Sequence, residues 1–479
     1  MRVFLTVSLL FVLNLSFGQK NADKSTEQKI DHYIKEVIAI NEIPGVALAV
    51  IKDGKIVYEK YFGKASIEDD KAVDKNTAFK IFSTTKLITN VGIFQLIEQG
   101  KLSLEDPILK YLENTPKEWQ EVKIKNLLSH SSGLPDVVRF QEIPITAPLD
   151  EKIALLSQKP MDFKPGNQYR YNQTNYLFLA KIIEKIKGLP FEEYILQNQF
   201  PSVKSGVYFS SNFGETVPNS ASRYNYDDQT KKYVKSTSNF GTDAHSANGL
   251  NISLPNFILW NENLDKAVYL QKETQFDMWK PFPFANNTDR FAFGWEIVPV
   301  NNVLSYGFTG GNETAFRKFI DRDLTIIFLS NGHKYSGLYV QSQVINHVAS
   351  IVDKTLTDEF LLAGEKINQN FLKLDFTKSQ QNYLAIKKNH PDWDFEYRLN
   401  VIGYTLMDHG RLHDGIKVLE LNAKENPKSG NAFDSLADGY FRNNELALSK
   451  ENYQKALSLS PDNNNAKEML EKINTMLAK

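Results

Sequence analysis

The segment FSTTK places two chemically useful groups one helical turn apart, the hydroxyl of Ser83 and the amine of Lys86. It opens an apolar run that ends at Gly100, and this pattern predicts the start of a buried helix. Residues three apart lie on the same side of a helix, so the amine would face the hydroxyl. A serine hydroxyl becomes a good nucleophile when a neighbouring base takes its proton. The spacing alone is equally compatible with a helix cap at Ser83 and a solvent-exposed amine at Lys86.

Lysine can serve as that base only in its neutral form. Near pH 7 this requires lowering a pKa of about 10.4 by roughly three units, which costs about 4 kcal/mol. Burial against apolar side chains lowers the pKa of an amine in this way. The apolar run that follows Lys86 predicts such surroundings.

The elements that must position this pair lie on both sides of it. Residues 28–40 have helical spacing, and GVALAVIKDGKIVYEKYFG predicts two strands joined by a turn at Asp53-Gly54. Residues 102–240 mix short helices with loops, and strands are predicted again in RFAFGWEIV, VLSYGFTGGNETAFRKFI and LTIIFLSNG. Strands at both ends and helices between them predict one α/β domain over residues 28–354, with a sheet that joins its two ends.

The last quarter of the chain is helical throughout and contains an internal repeat. The windows VIGYTLMDHGRLHDGIKVLELNAKENP and SLADGYFRNNELALSKENYQKALSLSP end at Pro427 and Pro461, 34 residues apart (461 − 427). This period resembles the tetratricopeptide repeat, although an unrelated pair of helical hairpins is the alternative. We expect such repeats in 396–479, a capping helix at 464–478, and a helical linker or degenerate repeat in 357–395. A concave face of stacked repeats is a candidate site for a peptide or protein partner.

Composition limits the kind of protein that carries these groups. The 479 residues include no cysteine, which excludes thiol nucleophiles, disulfides and thiolate zinc sites. The formal net charge of −1 gives no reason to expect nucleic acid or an anionic membrane surface as a partner.

Residues 1–18, MRVFLTVSLLFVLNLSFG, have the basic start, apolar core and small final residues of a secretory signal peptide. The alternative is a membrane anchor, but a span needs about 20 apolar residues and Asn14 interrupts this shorter run. No later segment is long and apolar enough to cross a bilayer. We expect cleavage and a mature protein that is periplasmic or extracellular.

Five stretches occur in a set order along the chain: VIKDGKIVYEKYFGKA, FKIFSTTKLITNVGIFQLIEQGKLSLEDPI, IKNLLSHSSGLPD, KPGNQYRYNQTNYLFLAKIIEK and GFTGGNETAF. Together they resemble the serine β-lactamase-related family, which includes class C β-lactamases, D-Ala-D-Ala carboxypeptidases and esterases. The resemblance covers about residues 28–354 and implies a β-lactamase/transpeptidase-like fold, an antiparallel sheet flanked by helices. It also implies a serine hydrolase that forms an acyl-enzyme with an ester, amide or peptide substrate and uses neither metal nor organic cofactor.

The resemblance assigns roles to particular residues. Ser83 would be the nucleophile and Lys86 its base, as in the S-x-x-K motif of this family. Tyr171, in YRYNQTNY, would carry a proton to the leaving group. The backbone N–H groups of Ser83 and Gly311 would form the oxyanion hole. The FTGG stretch takes the place of the strand motif that lines the substrate site, with the residues Phe308, Thr309 and Gly310.

Two positions depart from the family pattern. Gln173 replaces an asparagine and keeps an amide that can hydrogen-bond to substrate. Phe308 replaces a basic or imidazole side chain, and phenylalanine can neither donate a hydrogen bond nor attract a carboxylate. We therefore expect neutral esters to react well ahead of β-lactams. If a cephalosporin reacts faster than the ester, Arg317 or Lys318 would be the first candidates for holding its carboxylate. The alternative is a catalytically degraded member that binds a ligand or protein through its cleft and repeats.

Two further residues have predicted positions. Trp295, in FGWEI, is expected beside the substrate. His130 lies among serines in LLSHSSGLPD, a combination that could suggest a base. In the family this stretch is a loop signature, so we expect a structural role for His130.

Overall fold

The structure, a computed structural model, describes residues 24–286 and 290–478. The signal peptide predicted at residues 1–18 lies outside the described residues. Within the described ranges, no helix has both the length and the apolar character needed to cross a membrane.

Strands from the two ends of the predicted domain come together in one sheet. In the described chain the strands are β1 Gly45–Lys52, β2 Lys55–Ser66, β3 Lys71–Ala72, β4 Ala78–Lys80, β5 Val207–Phe209, β6 Tyr224–Asp227, β7 Lys232–Lys235, β8 Leu250–Ser253, β9 Glu296–Val300, β10 Val303–Gly310, β11 Thr314–Phe319 and β12 Leu324–Ser330. Seven of them form an antiparallel sheet in the order β3-β2-β1-β12-β11-β10-β9. A second sheet has the order β4-β8-β5, and β6 pairs with β7. The predicted antiparallel sheet that joins both ends is confirmed.

Helices cover both faces of the large sheet. Up to residue 354 they are α1 Lys24–Asn41, α2 Thr85–Glu98, α3 Ile124–Leu128, α4 Leu149–Leu156, α5 Thr174–Lys187, α6 Phe191–Gln199, α7 His245–Asn248, α8 Leu254–Asp265, α9 Lys272–Trp279 and α10 Val340–Val352. On one face α1 and α10 pack against Val46, Leu48 and Val50 of β1. On the other face α2 and its neighbours pack against Ala47 and Ala49. Because successive strand side chains point to opposite faces, a strand covered on both faces has a continuous apolar sequence.

The turn at Asp53-Gly54 joins β1 to β2, as predicted. Both residues have left-handed φ angles, 51° and 66°, which a two-residue hairpin of type I′ requires. Lys52 lies directly opposite Lys55 across this turn. The hairpin therefore fixes the register of the edge on which β2 and β3 lie.

Helix α2 is enclosed by the rest of the domain. Every residue from Thr85 to Leu96 is buried, and α5, α6 and α7 pack against the helix. An enclosed helix needs apolar side chains on all its faces, which explains the unbroken apolar run after Lys86. Lys86, in the first turn of α2, consequently lies inside the protein.

The chain from residue 359 to 477 consists of paired helices, here called the helical region. Its helices are α11 Glu359–Lys373, α12 Phe376–Asn389, α13 Glu396–Asp408, α14 Leu412–Glu425, α15 Gly430–Arg442, α16 Leu446–Leu459 and α17 Asn464–Leu477. Helices α13, α15 and α17 begin 34 residues apart (430 − 396 and 464 − 430), which reproduces the period in the sequence. Residues 357–395 contain the helix pair α11–α12, and α17 ends the stack.

The helical region packs on the preceding part of the chain, residues 24–354, which we call the sheet domain. Tyr335 and Leu338 of the sheet domain share a hydrophobic cluster with Ile367, Phe371 and Leu399 of the helical region. The predicted division near residue 354 falls between α10 and α11, and apolar contacts continue across it.

Candidate active site

Ser83 lies in a tight turn immediately before α2. The turn is a short 3-10 segment, Phe82–Thr84, and Phe82 has a left-handed φ of 47°. Non-glycine residues rarely adopt this conformation, and such strain is concentrated at functional sites. No side chain caps the start of α2, so the helix-cap alternative for Ser83 does not hold. Its side chain is partly exposed, and its hydroxyl instead contacts Tyr171.

Lys86 is fully buried, so the alternative of a solvent-exposed amine is wrong. Its Nζ donates to Gln173 Oε1 at 3.2 Å and to the Ala247 carbonyl at 2.8 Å. The rings of Tyr171 and Tyr176 lie 5.0 and 4.9 Å from Nζ. Burial lowers the pKa of Lys86 to about 7, with more distant carboxylates opposing the shift.

The hydrogen bonds of Lys86 fit a neutral amine. An ammonium group has three N–H donors, whereas a neutral amine has two donors and one lone pair. Gln173 and Ala247 take two donated hydrogen bonds, and the described chain offers no third acceptor to Nζ. The lone pair of the neutral amine is then free to accept a proton.

Tyr171 lies between the serine and the lysine. Its hydroxyl donates to Ser83 Oγ at 2.8 Å, and its ring contacts the amine of Lys86. Burial raises the pKa of Tyr171, so its hydroxyl keeps its proton at neutral pH. No direct hydrogen bond joins Ser83 and Lys86 in the described chain, and Tyr171 is the group that touches both.

His130 supports the loop that carries Tyr171. Its carbonyl accepts from the Arg170 N–H at 2.9 Å, and its Nδ1 accepts from the Asn172 N–H at 3.2 Å. The two residues that flank Tyr171 are thus both tied to His130, whose ring lies 4.7 Å from the Tyr171 ring. Burial and the nearby Lys86 hold the pKa of His130 well below its usual value. A neutral imidazole in this position agrees with the structural role expected for His130.

Asp136 holds the other side of this loop and contributes charge to the site. Its Oδ1 accepts from the Gln173 N–H at 3.1 Å, which places the Gln173 side chain beside Lys86. Burial raises the pKa of the Asp136 carboxyl, while backbone N–H groups that donate to it and Lys86 oppose the rise. The Asp136 carboxylate also raises the pKa of Lys86, against the larger effect of burial.

The two predicted oxyanion-hole donors belong to neighbouring segments. Neither the Ser83 N–H nor the Gly311 N–H donates a hydrogen bond within the described chain. Gly311 has a φ of 58°, and a Cβ there would lie 2.7 Å from the ring of Phe82. At Gly310 a Cβ would lie 2.2 Å from the Ile81 carbonyl. The two glycines therefore let the end of β10 approach the turn that carries Ser83.

Arg223 and Glu313 support this contact, and sequence reasoning missed both. The Arg223 guanidinium lies over the Phe82 ring, with Cζ 5.8 Å from the ring centre. It also binds Glu313 Oε1 through Nε at 3.0 Å and Nη2 at 2.9 Å. Glu313 closes the Gly311 turn through its N–H to the Gly310 carbonyl, at 2.9 Å. Burial raises the pKa of Glu313 to about 7, although the Arg223 charge opposes the rise.

Phe308 forms an apolar wall of the site. Its side chain is buried, and its ring lies 6.2 Å from that of Tyr171 and 5.8 Å from Lys86 Nζ. The neighbouring Thr309 is partly exposed and donates to Glu296 at 3.3 Å. An apolar ring thus lies where the family resemblance places a hydrogen-bonding side chain.

Arg317 and Lys318, the further candidates for holding a carboxylate, have other partners. Arg317 is paired with Glu296, and Lys318 lies 2.7 Å from Asp265. Both cations are buried, so neither is free to hold a substrate carboxylate. The expectation that Trp295 lies beside the substrate is also wrong. Its indole is fully buried in the core and offers a ligand no surface.

The fold and the side chains of this site are together those of a serine hydrolase. A sequence model described as Beta-lactamase matches residues 30–344. The chain therefore belongs to the beta-lactamase family. Among the described residues, no group of three or more His, Asp or Glu side chains could hold a metal ion.

Two relatives illustrate the similarity in sequence. Penicillin-binding protein 4* of Bacillus subtilis (strain 168) is 27% identical over 316 residues, which are 61% of this chain and 68% of that protein. A putative D-alanyl-D-alanine carboxypeptidase of Escherichia coli (strain K12) is 27% identical over 187 residues. That match covers 35% of this chain and less than half of the relative, 43%.

Solved structures show the same fold. The octameric penicillin-binding protein homologue from Pyrococcus abyssi has a TM-score of 0.61 and 25% identity, covering 72% of this chain and 81% of that one. EstCE1, a hydrolase with promiscuous acyltransferase activity, has a TM-score of 0.57 and 18% identity. That comparison covers 69% of this chain and 99% of EstCE1.

Proposed function

We propose that the protein is an exported serine hydrolase that transfers an acyl group to Ser83 and then to water. The observation that carries the proposal is the contact of Tyr171 with both Ser83 Oγ, at 2.8 Å, and the buried amine of Lys86. In the first step Ser83 Oγ bonds to the acyl carbon, and its proton passes to the lone pair of Lys86. Tyr171 then gives its proton to the leaving group as the bond between that group and the acyl carbon breaks, and the Lys86 ammonium returns a proton to Tyr171. Water attacks the acyl-enzyme with the same proton transfers, which breaks the bond to Ser83 Oγ, releases the acid and restores all three side chains.

The oxyanion of each tetrahedral intermediate would be bound by the backbone N–H groups of Ser83 and Gly311. Donors fixed before the reaction stabilise developing charge, and losing one typically costs a hundredfold or more in rate. The Phe82 ring holds these two segments together, because it packs directly on Gly311. These contacts support the roles that the family resemblance assigns to the site residues.

The substrate we propose is a small neutral ester or amide. Phe308 gives the site an apolar wall, and Arg317 and Lys318 are bound by carboxylates of the protein itself. A substrate carboxylate would therefore be desolvated without a cation to pair with it, which is costly. EstCE1, which shares the fold, is described as a hydrolase with acyltransferase activity.

The second candidate is a family member that binds ligands without turning them over. The departures at Phe308 and Gln173 favour it, and the helical region would then carry the function through a peptide or protein partner. The two candidates differ in whether Ser83 reacts. Export is a separate part of the proposal, and mass spectrometry of the mature N-terminus tests whether residues 1–18 are removed.

Labelling with a fluorescent activated ester tests the proposal. When the reaction is stopped with acid before the acyl-enzyme hydrolyses, the wild-type protein should carry the label. Ser83→Ala should remove the label while leaving the melting temperature nearly unchanged, because the change deletes no core volume. Ser157→Ala is the matched control, since Ser157 is also partly exposed but is followed three residues later by Pro160. Labelling that survives in Ser83→Ala, or an unlabelled wild-type protein, would overturn the proposal in favour of binding without turnover.

A further inference from the structure

A cavity of about 170 Å³ lies where the helical region meets the sheet domain. Both parts of the chain line it. The sheet domain contributes Tyr339 and Asn346, and the helical region contributes Asn368, Tyr397 and Arg398. Because water occupies about 30 Å³ per molecule in the liquid, the cavity has room for about five waters or one small organic group.

Arg398 gives this cavity an incompletely paired cation. A Cβ at Gly364 would lie 2.5 Å from Arg398 Cζ, so the guanidinium packs flat against the backbone of α11. Its Nη1 donates to Asn368 Oδ1 at 3.2 Å. A guanidinium has five N–H donors, and this is the only hydrogen bond that they make within the described chain. No carboxylate lies within ion-pair distance of Arg398 in residues 24–286 and 290–478.

Glu365 also lines the cavity, but its oxygens are already engaged. His347 Nδ1 lies 2.8 Å from Glu365 Oε2, and Gln369 donates to Oε1 at 2.9 Å. Burial lowers the pKa of Arg398, with Glu365 opposing the shift, yet arginine stays charged at any physiological pH. A half-buried charge with unused donors is costly unless an anion completes it.

Two exposed tyrosines form the rim of the cavity. Tyr339 is 47% exposed and has a left-handed φ of 52°, and Tyr397 is 69% exposed. One ring comes from each part of the chain. Large exposed aromatic side chains with a polar tip are enriched where proteins bind other molecules.

We propose that this cavity binds the free carboxylate end of a peptide. The carboxylate would take the guanidinium fork of Arg398 in a bidentate pair, the strongest common form of this interaction. The terminal side chain would pack against the rings of Tyr339 and Tyr397. The site is separate from Ser83 and needs no catalysis, and it exists only where both parts of the chain meet.

Calorimetric titration of full-length Ser83→Ala protein tests this site without interference from turnover. The probes are N-acetyl-phenylalanine and its C-terminal amide, which differ only in the charged group. The acid should bind about ten- to a hundredfold more tightly than the amide, as the loss of charge-assisted hydrogen bonds implies. Equal binding of the two, or no binding of the acid, overturns the proposal whether or not Ser83 is a nucleophile.

A second arm tests the residue and the size of the ligand. In Arg398→Gln the affinity for the acid should fall by the same factor of about ten to a hundred. In Arg442→Gln the affinity for the acid should be unchanged, because Arg442 is already paired with Asp408 and Asp438. Acid binding unchanged in Arg398→Gln contradicts the site. Acetate that binds as tightly as N-acetyl-phenylalanine contradicts a peptide end and identifies a small-anion site.

Discussion

Lys86 in the sheet domain and Arg398 in the helical region are basic side chains, one buried and one half-buried, and neither has a carboxylate within ion-pair distance in the described chain. Lys86 has two neutral acceptors and a ring of aromatic side chains. Arg398 has one amide acceptor and faces a cavity. Lys318 shows the ordinary arrangement, in which the buried amine lies 2.7 Å from Asp265.

The difference between the two lies in what each side chain can do when its charge is not compensated. The lysine can lose its proton, and its pKa falls to about 7. The arginine cannot be deprotonated in a protein, so it keeps its charge and must bind an anion or stay partly solvated. On the two proposals above, the same lack of a partner provides a base in one region and an anion receptor in the other.

The largest effect is expected for Lys86→Arg, which removes the difference between the two basic side chains. It puts a permanent cation where a neutral amine is required, so hydrolysis of a neutral ester should fall about a hundred- to ten-thousandfold, the usual contribution of a general base. Initial-rate kinetics measure the loss. Lys318→Arg is the control. Lys318 is paired with Asp265, and an arginine keeps the positive charge of that pair, so the hydrolysis rate should stay near wild type. A Lys86→Arg rate within threefold of wild type would show that no neutral amine is needed.

Phe308→Lys tests whether the wall that keeps Lys86 neutral also rejects anionic substrates. A cation at this position restores about 1.5–3 kcal/mol of charge-assisted bonding, or roughly ten- to a hundredfold in affinity for a carboxylate. The ratio of cephalosporin to neutral-ester turnover should rise by that factor, as measured with chromogenic substrates. Phe308→Leu, which stays apolar, should leave the ratio near wild type. A wild-type protein that already prefers the cephalosporin would contradict the proposed substrate.

Asp136→Asn has the smallest expected effect and concerns the pH profile alone. The ester hydrolysis rate should rise with pH through about 7, because the active form of Lys86 is the deprotonated one. The Asp136 carboxylate raises the pKa of Lys86, so its removal should move the midpoint to lower pH. An asparagine can still accept from the Gln173 N–H and keep the loop in place. A midpoint that moves upward or stays fixed would rule out Lys86 as the titrating base.

Sequence patterns predicted those features of the molecule that are determined by residues close together in the chain. The β1–β2 hairpin, the enclosed helix after Lys86 and the 34-residue spacing of helices each follow from local periodicity. The family resemblance located Ser83 and Tyr171, although they lie 88 positions apart. These predictions needed no knowledge of packing.

Contacts between segments that are distant in the chain could not be predicted from the sequence. Arg223 acts on Phe82 and Glu313, and nothing in the residues around Arg223 indicates either partner. Arg317 was considered as a candidate carboxylate ligand because its own pairing with Glu296 could not be seen. Trp295 was placed beside the substrate because an aromatic residue has the same sequence appearance in a core as in a cleft.

The pairing of β1 with β12 joins two segments that are far apart in the chain. Val46 lies opposite Ser330, so nearly the whole sheet domain must be synthesised before the central ladder closes. Closing so long a loop loses entropy before any contact compensates for it, and chains with such distant pairings fold slowly. Ser83 lies inside this loop, whereas Gly311 arrives with the last strands. On the proposed mechanism, a nascent chain therefore carries an unreactive serine until Gly311 and the last strands have been synthesised.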